Sequence, residues 1–369
     1  MALVFSDRLR ALFAPPRYIA LPFAGIDLST SGVKSVQLSE SVDGPVLSRY
    51  VETRLPPGAF TDGEIIDRAA VVEALTAAAE ETGVSQAHVA LPESKSYLFE
   101  TTASGASREE LRISVEQRID ELVPLPPAET VFDFVEVGHT EGGDVRVAGV
   151  GFARRIVEDT LAAFDEADIR ARSLEEETFA AARTLLPYGD ETTTLVIDVG
   201  KTTTKLSVVT RGIPRYATTI NIGGHALTLA IQKYFSVTEK EARKVKHEHG
   251  IVSTPGNEEY LAAMLSTVSA IRDEIARHLA FWQERAERSG GLYEPVSRVI
   301  VAGGNGSVRG LPEYLEGTLK IPVSTGDVFT NFAPRDAWVP EMDYNESLAY
   351  ATAIGLALRD HATQLCQQN

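Results

Sequence analysis

The sequence predicts an α/β protein made of two related halves, with a smaller βαββ unit inserted into the first. Three observations carry this. Strand-like and helix-like segments alternate along most of the chain. Two strand–turn–strand stretches, IDLSTSGVKSV at 26–36 and IDVGKTTTKLSV at 197–208, repeat one pattern. Each sets an Ile-Asp pair at the end of an apolar strand, then a turn of small and hydroxyl residues, then a lysine seven positions after the aspartate. Repetition of this kind argues for two related domains facing one another. Finally, the block at 95–153 reads strand, helix, Pro-rich turn and two strands, between two parts of the first half.

Composition bounds the function. The chain has 369 residues, 44% of them hydrophobic, which is enough for two domains with separate cores. A net charge of −17 argues against non-specific nucleic-acid binding, which needs lysine and arginine against phosphate. The single cysteine, Cys366, gives neither a disulfide framework nor a cysteine metal site. No apolar run is long enough to span a bilayer and no signal peptide is evident, so a cytoplasmic protein is expected. The stretch MALVFSDRLRALFAPP is read either as a lead-in or as a short amphipathic helix presenting Val4, Phe5, Leu9, Leu12 and Phe13.

Taken in order, FAGIDLSTSGVKSVQL is strand, tight turn, strand. DRAAVVEALTAAAEETG is a helix ending at Gly83. HVALPESKSYLFETT returns to strand. SREELRISVEQRIDEL is one helix with Leu111, Val115, Ile119 and Leu122 on a face, stopped by the prolines of VPLPPAET. VFDFVEVG and DVRVAGVGFA flank a Gly-Gly turn, and the helices IVEDTLAAFDEA and EEETFAAARTLL lead to the second hairpin. A helical region at VTEKEARKVKHEHG precedes one long helix whose core face is Leu261, Leu265, Val268, Ile271, Ile275, Leu279 and Trp282, with His278 beside it in solvent. VSRVIVAGGNGSVRGLPEYLEGTL is strand, Gly-rich turn and helix, and NESLAYATAIGLALRD is the closing helix.

Gly200-Lys201-Thr202 looks like the end of a P-loop and is not one. The first glycine of G-x-x-x-x-G-K-[ST] would fall at Leu195, and the β-branched TTTKLSVV that follows Lys201 suits a strand better than a helix. The two hairpin turns nonetheless suit a nucleoside triphosphate. Small residues let backbone amides approach phosphate oxygens, and hydroxyls add donors. Asp27 and Asp198 could orient waters around a Mg²⁺ held mainly by the phosphates, whereas either one alone would read as a turn cap. Gly303-Gly304-Asn305-Gly306, between a strand and a helix, allows close backbone approach to a base or ribose.

These motifs resemble the actin/Hsp70/sugar-kinase superfamily, whose actin-like (ribonuclease H-like) fold is a duplicated two-domain α/β architecture. Phosphate loop one would be GIDLSTSGVK (Ser29, Thr30, Ser31, Gly32, Lys34), loop two DVGKTTTK (Gly200, Lys201, Thr202, Thr203, Lys205), and the adenosine loop AGGNGSVRG. Within the superfamily the chain is similar to the PilM family of type IV pilus assembly, with FtsA the nearest alternative. HVALPESKSYLFETT…ELRISVEQRIDELVPLPPAETVFDFVEV resembles the FtsA/PilM-type insertion, and NIGGHALTLAIQKYFSVTEKEARKVK resembles the subdomain that contributes Gly223, Gly224 and Lys246 to the nucleotide cleft.

The resemblance implies a lead-in at 1–20, a first actin-like subdomain at 21–94 and 154–190, the insertion at 95–153, a second actin-like subdomain at 191–230 and 294–369, and a helical cleft subdomain at 231–293. It also implies ATP with Mg²⁺, slow or negligible turnover, and a groove near the insertion for the N-terminal peptide of PilN, an inner-membrane pilus protein. Other pilus proteins, self-association and a position peripheral to the inner membrane go with that reading. Tyr97, Phe99 and Leu122 are candidate groove residues, although core packing explains each as well. Glu175 sits near the position from which the first connecting helix would address the catalytic water. Ser29 where the family has glycine, Lys201 in loop two, and Arg243 where a ribose-contacting glutamate is usual depart from the pattern; Glu241 and Lys246 keep it. A metabolite kinase and an FtsA-like filament former are the alternatives.

Overall fold

Two five-stranded sheets and one three-stranded sheet organise the computed structural model, which describes residues 22–361 apart from position 255. The N-terminal stretch, read either as a lead-in or as a short amphipathic helix, and Cys366 lie outside the described residues. Strands β1 (Ala24–Ser29), β2 (Gly32–Ser41) and β3 (Gly44–Arg54) form an antiparallel meander. After a small hairpin of β4 (Phe60–Thr61) and β5 (Glu64–Ile65), helix α1 (Arg68–Thr82) leads into β6 (Gln86–Leu91), parallel to β1. The Asp67 carboxylate caps α1 by accepting from Ala70 N, and Gly83 ends it at φ 72°, the left-handed cap the sequence predicts.

The insertion follows. Strands β7 (Ser96–Ala103), β8 (Thr130–His139) and β9 (Val145–Ala153) pair antiparallel in the order β7-β9-β8. The helix expected over 107–122 is two, α2 (Arg108–Glu116) and α3 (Ile119–Leu122), because Arg118 leaves helical geometry at φ −120°. On both sides of the break the apolar side chains stay in one core, Leu111 and Val115 before it and Ile119 and Val123 after it. Helix α4 (Arg154–Glu166) then returns the chain to β10 (Arg170–Glu176), parallel to β6, and α5 (Glu177–Leu185) starts without a loop. The helix expected from Glu175 therefore starts two residues late, since Glu175 and Glu176 pair with Ala90 and Leu91 as strand.

The second half repeats the first. Strands β11 (Thr194–Val199), β12 (Thr204–Thr210) and β13 (Ile213–Ile220) form another meander. Helices α6 (Gly224–Phe235), α7 (Glu239–His249) and α8 (Glu258–Arg288) precede β14 (Arg298–Ala302), α9 (Leu311–Leu319) and β15 (Val323–Thr325). The sheet orders are β3-β2-β1-β6-β10 and β13-β12-β11-β14-β15, each with an antiparallel meander on one side and two parallel strands on the other. The face of α8 that is buried runs Tyr260, Met264, Val268, Ile271, Ile275, Leu279 and Trp282, so the expected Leu261 and Leu265 are one residue out of phase. His278 is not a solvated side chain: its Nδ1 lies 2.6 Å from the Tyr216 hydroxyl.

The closing helix is also broken, into α10 (Tyr344–Ser347), a tight turn at Leu348–Tyr350, and α11 (Ala351–Ala357). Helices α5 and α11 cross at Gly355, where a Cβ would sit 1.8 Å from the Ala180 carbonyl oxygen. Only glycine fits there, and the two crossing helices are the expected connectors between the halves. Among the described residues no helix is long and apolar enough to cross a membrane.

Candidate functional site

A cleft of about 350 Å³ lies between the two hairpins. Its geometry begins in strand register. Asp27 pairs directly with Lys34 across β1 and β2, and Asp198 pairs with Lys205 across β11 and β12. The seven-residue spacing in the sequence is therefore a cross-strand pair closed by a two-residue turn. Ser29 faces Gly32 around Thr30-Ser31, and Gly200 N donates to Thr203 O at 2.9 Å around Lys201-Thr202. The turns meet tip to tip, with Thr30 Oγ1 3.2 Å from Thr202 Oγ1.

Acidic groups crowd the floor. Asp27 is 7% exposed, and its Oδ1 has no hydrogen-bond partner among the described residues. Burial, reinforced by Glu177 and Asp198 and opposed by Lys34 and Lys205, pushes its carboxyl up to about 6. Burial also raises Asp198, against the pull of Lys205. The two lysines are used differently. Lys34 Nζ donates to Ser31 Oγ at 3.0 Å and lies 3.7 Å from Glu52, whereas Lys205 Nζ meets Glu177 Oε2 at 2.5 Å. Burial alone would lower Lys205, and Glu177, Asp198 and Asp27 together raise it instead. Behind them, Glu177 Oε1 accepts the Glu93 N–H at 2.7 Å, and Thr219 donates its hydroxyl proton to Glu93. Burial, helped by Glu177, raises the Glu93 carboxyl to about 7 although the Thr219 bond opposes it.

The other end is built on a lysine with no carboxylate. Lys246 is 3% exposed and donates to Asn305 Oδ1 (2.7 Å), Gly224 O (3.1 Å) and Thr228 Oγ1 (3.2 Å). Burial, with Arg243 nearby, pulls it down to about 8. Asn305 in turn donates from Nδ2 to Gly200 O at 2.9 Å, so Lys246 ties the glycine-rich loop to the second hairpin. The N–H groups of Gly224 and His225 donate to Gly200 O and Lys201 O, which docks the start of α6 on the same turn. Gly303, at φ 84°, comes so close to Asp198 that a Cβ would lie 2.1 Å from its Oδ1.

Of the residues the sequence assigns to the site, all but Gly32, Gly223, Gly306 and Glu175 line this cleft. The three glycines flank it as turn and packing positions: Gly306 N donates to Gly303 O, and a Cβ on Gly223 would meet the Thr202–Thr203 backbone. Glu175 is a correction. Its carboxylate is 11% exposed and bound by Arg183 Nη2 (2.5 Å) and Arg359 Nη1 (3.1 Å), away from the hairpins. Burial would raise it, but the two guanidiniums hold it below the usual carboxylate range. The cleft acid on that connecting helix is Glu177, its first residue. The run Glu175-Glu176-Glu177 gave no phase from which to choose, and Glu93 and Thr219 carried no motif at all.

Among the described residues no group of three or more histidine, cysteine or acidic side chains is arranged to hold a metal. The unpartnered Asp27 oxygen and the half-buried Asp198 fit a metal coordinated chiefly by phosphate and water. A second cavity of about 200 Å³ runs between the insertion and the first half, lined by Val131–Val135 of edge strand β8 and by Val150, Leu174, Phe179 and Arg359. None of Tyr97, Phe99 and Leu122 lines it: Phe99 lies in the core of the insertion and the other two pack against that core.

Residues 25–361 match the family described as type IV pilus assembly protein PilM. The structure is similar to one described as a PilM-PilN type IV pilus biogenesis complex, with TM-score 0.74 and 23% identity, covering 93% of this chain and 99% of that one. It is also similar to MreB5 of Spiroplasma citri bound to ADP, with TM-score 0.57 and 16% identity over 95% of this chain and 99% of that one. Among curated proteins, cell division protein FtsA of Rhizobium meliloti (strain 1021) is 27% identical over 191 residues, 46% of this chain. The match spans 40% of that relative's length.

Proposed function

The chain belongs to the type IV pilus assembly protein PilM family, and from that premise we propose that it is an ATP-binding, actin-like component of the pilus assembly platform at the cytoplasmic face of the inner membrane. The observation that carries the nucleotide site is the pair of matched hairpins meeting at Thr30 and Thr202, with the unpartnered Asp27 carboxylate oxygen between them. The turn amides and the hydroxyls of Ser29, Thr30, Ser31, Thr202 and Thr203 would take the phosphates, with Lys34 adding charge. Asp27 and Asp198 would hold the waters of a Mg²⁺, which when bound neutralises phosphate charge. Gly303, Gly304 and Asn305 would flank the nucleoside, with Lys246 fixing Asn305. Relatives of this fold bind ADP and AMPPNP, as the Spiroplasma citri structures do.

The second cavity supports the partner reading. Strand β8 pairs with another strand on one side only, and apolar Val131, Val135 and Phe179 line the cavity beside it. That is the chemistry of a site for an extended peptide with a few apolar anchors, here the N-terminal peptide of a PilN-like membrane protein. Docking of that peptide would hold the chain at the membrane. Capture of a synthetic peptide of that kind by the full chain tests it. Val135→Asp, at a position 39% exposed, is expected to abolish capture and leave ATP binding intact, and equal capture by both proteins would exclude this cavity.

A further inference from the structure

The two hairpin lysines occupy equivalent register positions and do different work. Lys34 bonds a turn hydroxyl and is placed to meet phosphate, while Lys205 reaches past its cross-strand partner Asp198 to Glu177. We propose that Lys205 is a positioning residue that withholds Glu177 from water activation, so that the cleft retains ATP instead of consuming it. The inference rests on the nucleotide reading above.

Glu177 is the cleft-lining acid supplied by a helix start, opposite two hairpin aspartates. Hydrolysis requires the oxygen of a water molecule to bond to the terminal phosphorus as the bond from that phosphorus to the bridging oxygen breaks. ADP leaves with the electron pair, and a proton from the water must pass to an acceptor, leaving phosphate. A base serves poorly where taking the proton would strand a cation already bound to it. Each Glu177 oxygen already accepts one bond, Oε1 from the Glu93 N–H at 2.7 Å and Oε2 from the Lys205 ammonium at 2.5 Å, so two of its four lone-pair sites are taken and a cation holds one of them. Taking a proton would break an ion pair in which Glu177 is 7% and Lys205 25% exposed. Asp27 and Asp198 would hold the metal waters; the other acids lining the cleft are Glu52, 3.7 Å from Lys34, and the exposed Asp62, and Glu177 is the one that an ammonium meets at 2.5 Å.

The test uses the full chain with ATP and Mg²⁺ and measures phosphate release alongside the ATP dissociation constant from displacement of a fluorescent nucleotide. Lys205→Met is expected to raise phosphate release by about tenfold or more, within the range for freeing a general base. The ATP dissociation constant should change by less than the rate does. Lys205→Arg, which keeps the charge, should accelerate less than Lys205→Met, and adding Glu177→Gln to Lys205→Met should reverse the gain. A merely structural lysine would not give that reversal. Lys205→Gln, which removes the charge and keeps a donor, serves the same comparison if the Met variant does not fold. Phosphate release that stays at the wild-type rate in both, with ATP still bound, would overturn the inference. So would a double variant as fast as the single. Absence of ATP binding by the wild type would overturn the nucleotide reading itself and with it the inference.

Discussion

Thr30 Oγ1 and Thr202 Oγ1 lie 3.2 Å apart although 172 positions separate them in the chain. This contact joins the tips of two hairpins that the fold duplicates, and both threonines line the cleft. Thr202→Val removes the contact and one turn hydroxyl while keeping the β-branched shape. The bond is exposed, so the loss in stability should be under about 1 kcal/mol. ATP affinity should fall severalfold, which titration beside a melting curve would separate.

Glu175 holds two guanidiniums, Arg183 and Arg359, and its Arg183 partner also donates to Gly355 O at 2.8 Å. Removing one member of a buried ion pair strands the other charge. Glu175→Ala is expected to destabilise the fold by about 3 kcal/mol, read from denaturant unfolding. Its effect on ATP affinity should be far smaller than that of changing Asp27, because Glu175 faces away from the cleft.

Glu93 carries a pH signature. Its folded carboxyl is raised to about 7 from an ordinary 4.5, chiefly by burial. A raised carboxyl stabilises the fold below the ordinary value, and that contribution is lost as pH rises through the folded one. Melting temperature should therefore decline between pH 4.5 and 7 more steeply in the wild type than in Glu93→Gln. Parallel melting curves for the two proteins would mean that Glu93 is not the buried proton.

Helices α5 and α11 touch through Gly355, with a Cβ 1.8 Å from Ala180 O. Gly355→Ala would force the helices apart, and overpacking of this kind costs about 1–3 kcal/mol or more. Equilibrium unfolding of that single variant measures it directly, and a neutral result would mean the crossing has slack.

Much of the fold was legible because a hairpin writes its register into the sequence: Asp27 to Lys34 and Asp198 to Lys205 are equal spacings because they are cross-strand neighbours. The third strands were not singled out. In β3 and β13 half-exposed residues blur the alternation that marks a strand, as in RYVETR and RYATTI. Glu177 was missed for a related reason. The chain passes from β10 to α5 with no loop, so the period changes inside a run of three glutamates and no pattern says which one turns inward. Lys246 was legible as a cleft residue, but its ties to Asn305 and Thr228 depend on packing between distant elements.

The most direct measurement is titration of the full chain with ATP, with and without Mg²⁺, for the wild type, Asp198→Ala and Asp27→Asn. A cleft built on the two hairpin aspartates predicts Mg²⁺-dependent binding by the wild type that falls by at least about tenfold in each variant, roughly 1.4 kcal/mol. Binding that is absent from the wild type, or that is the same in all three proteins, would contradict it.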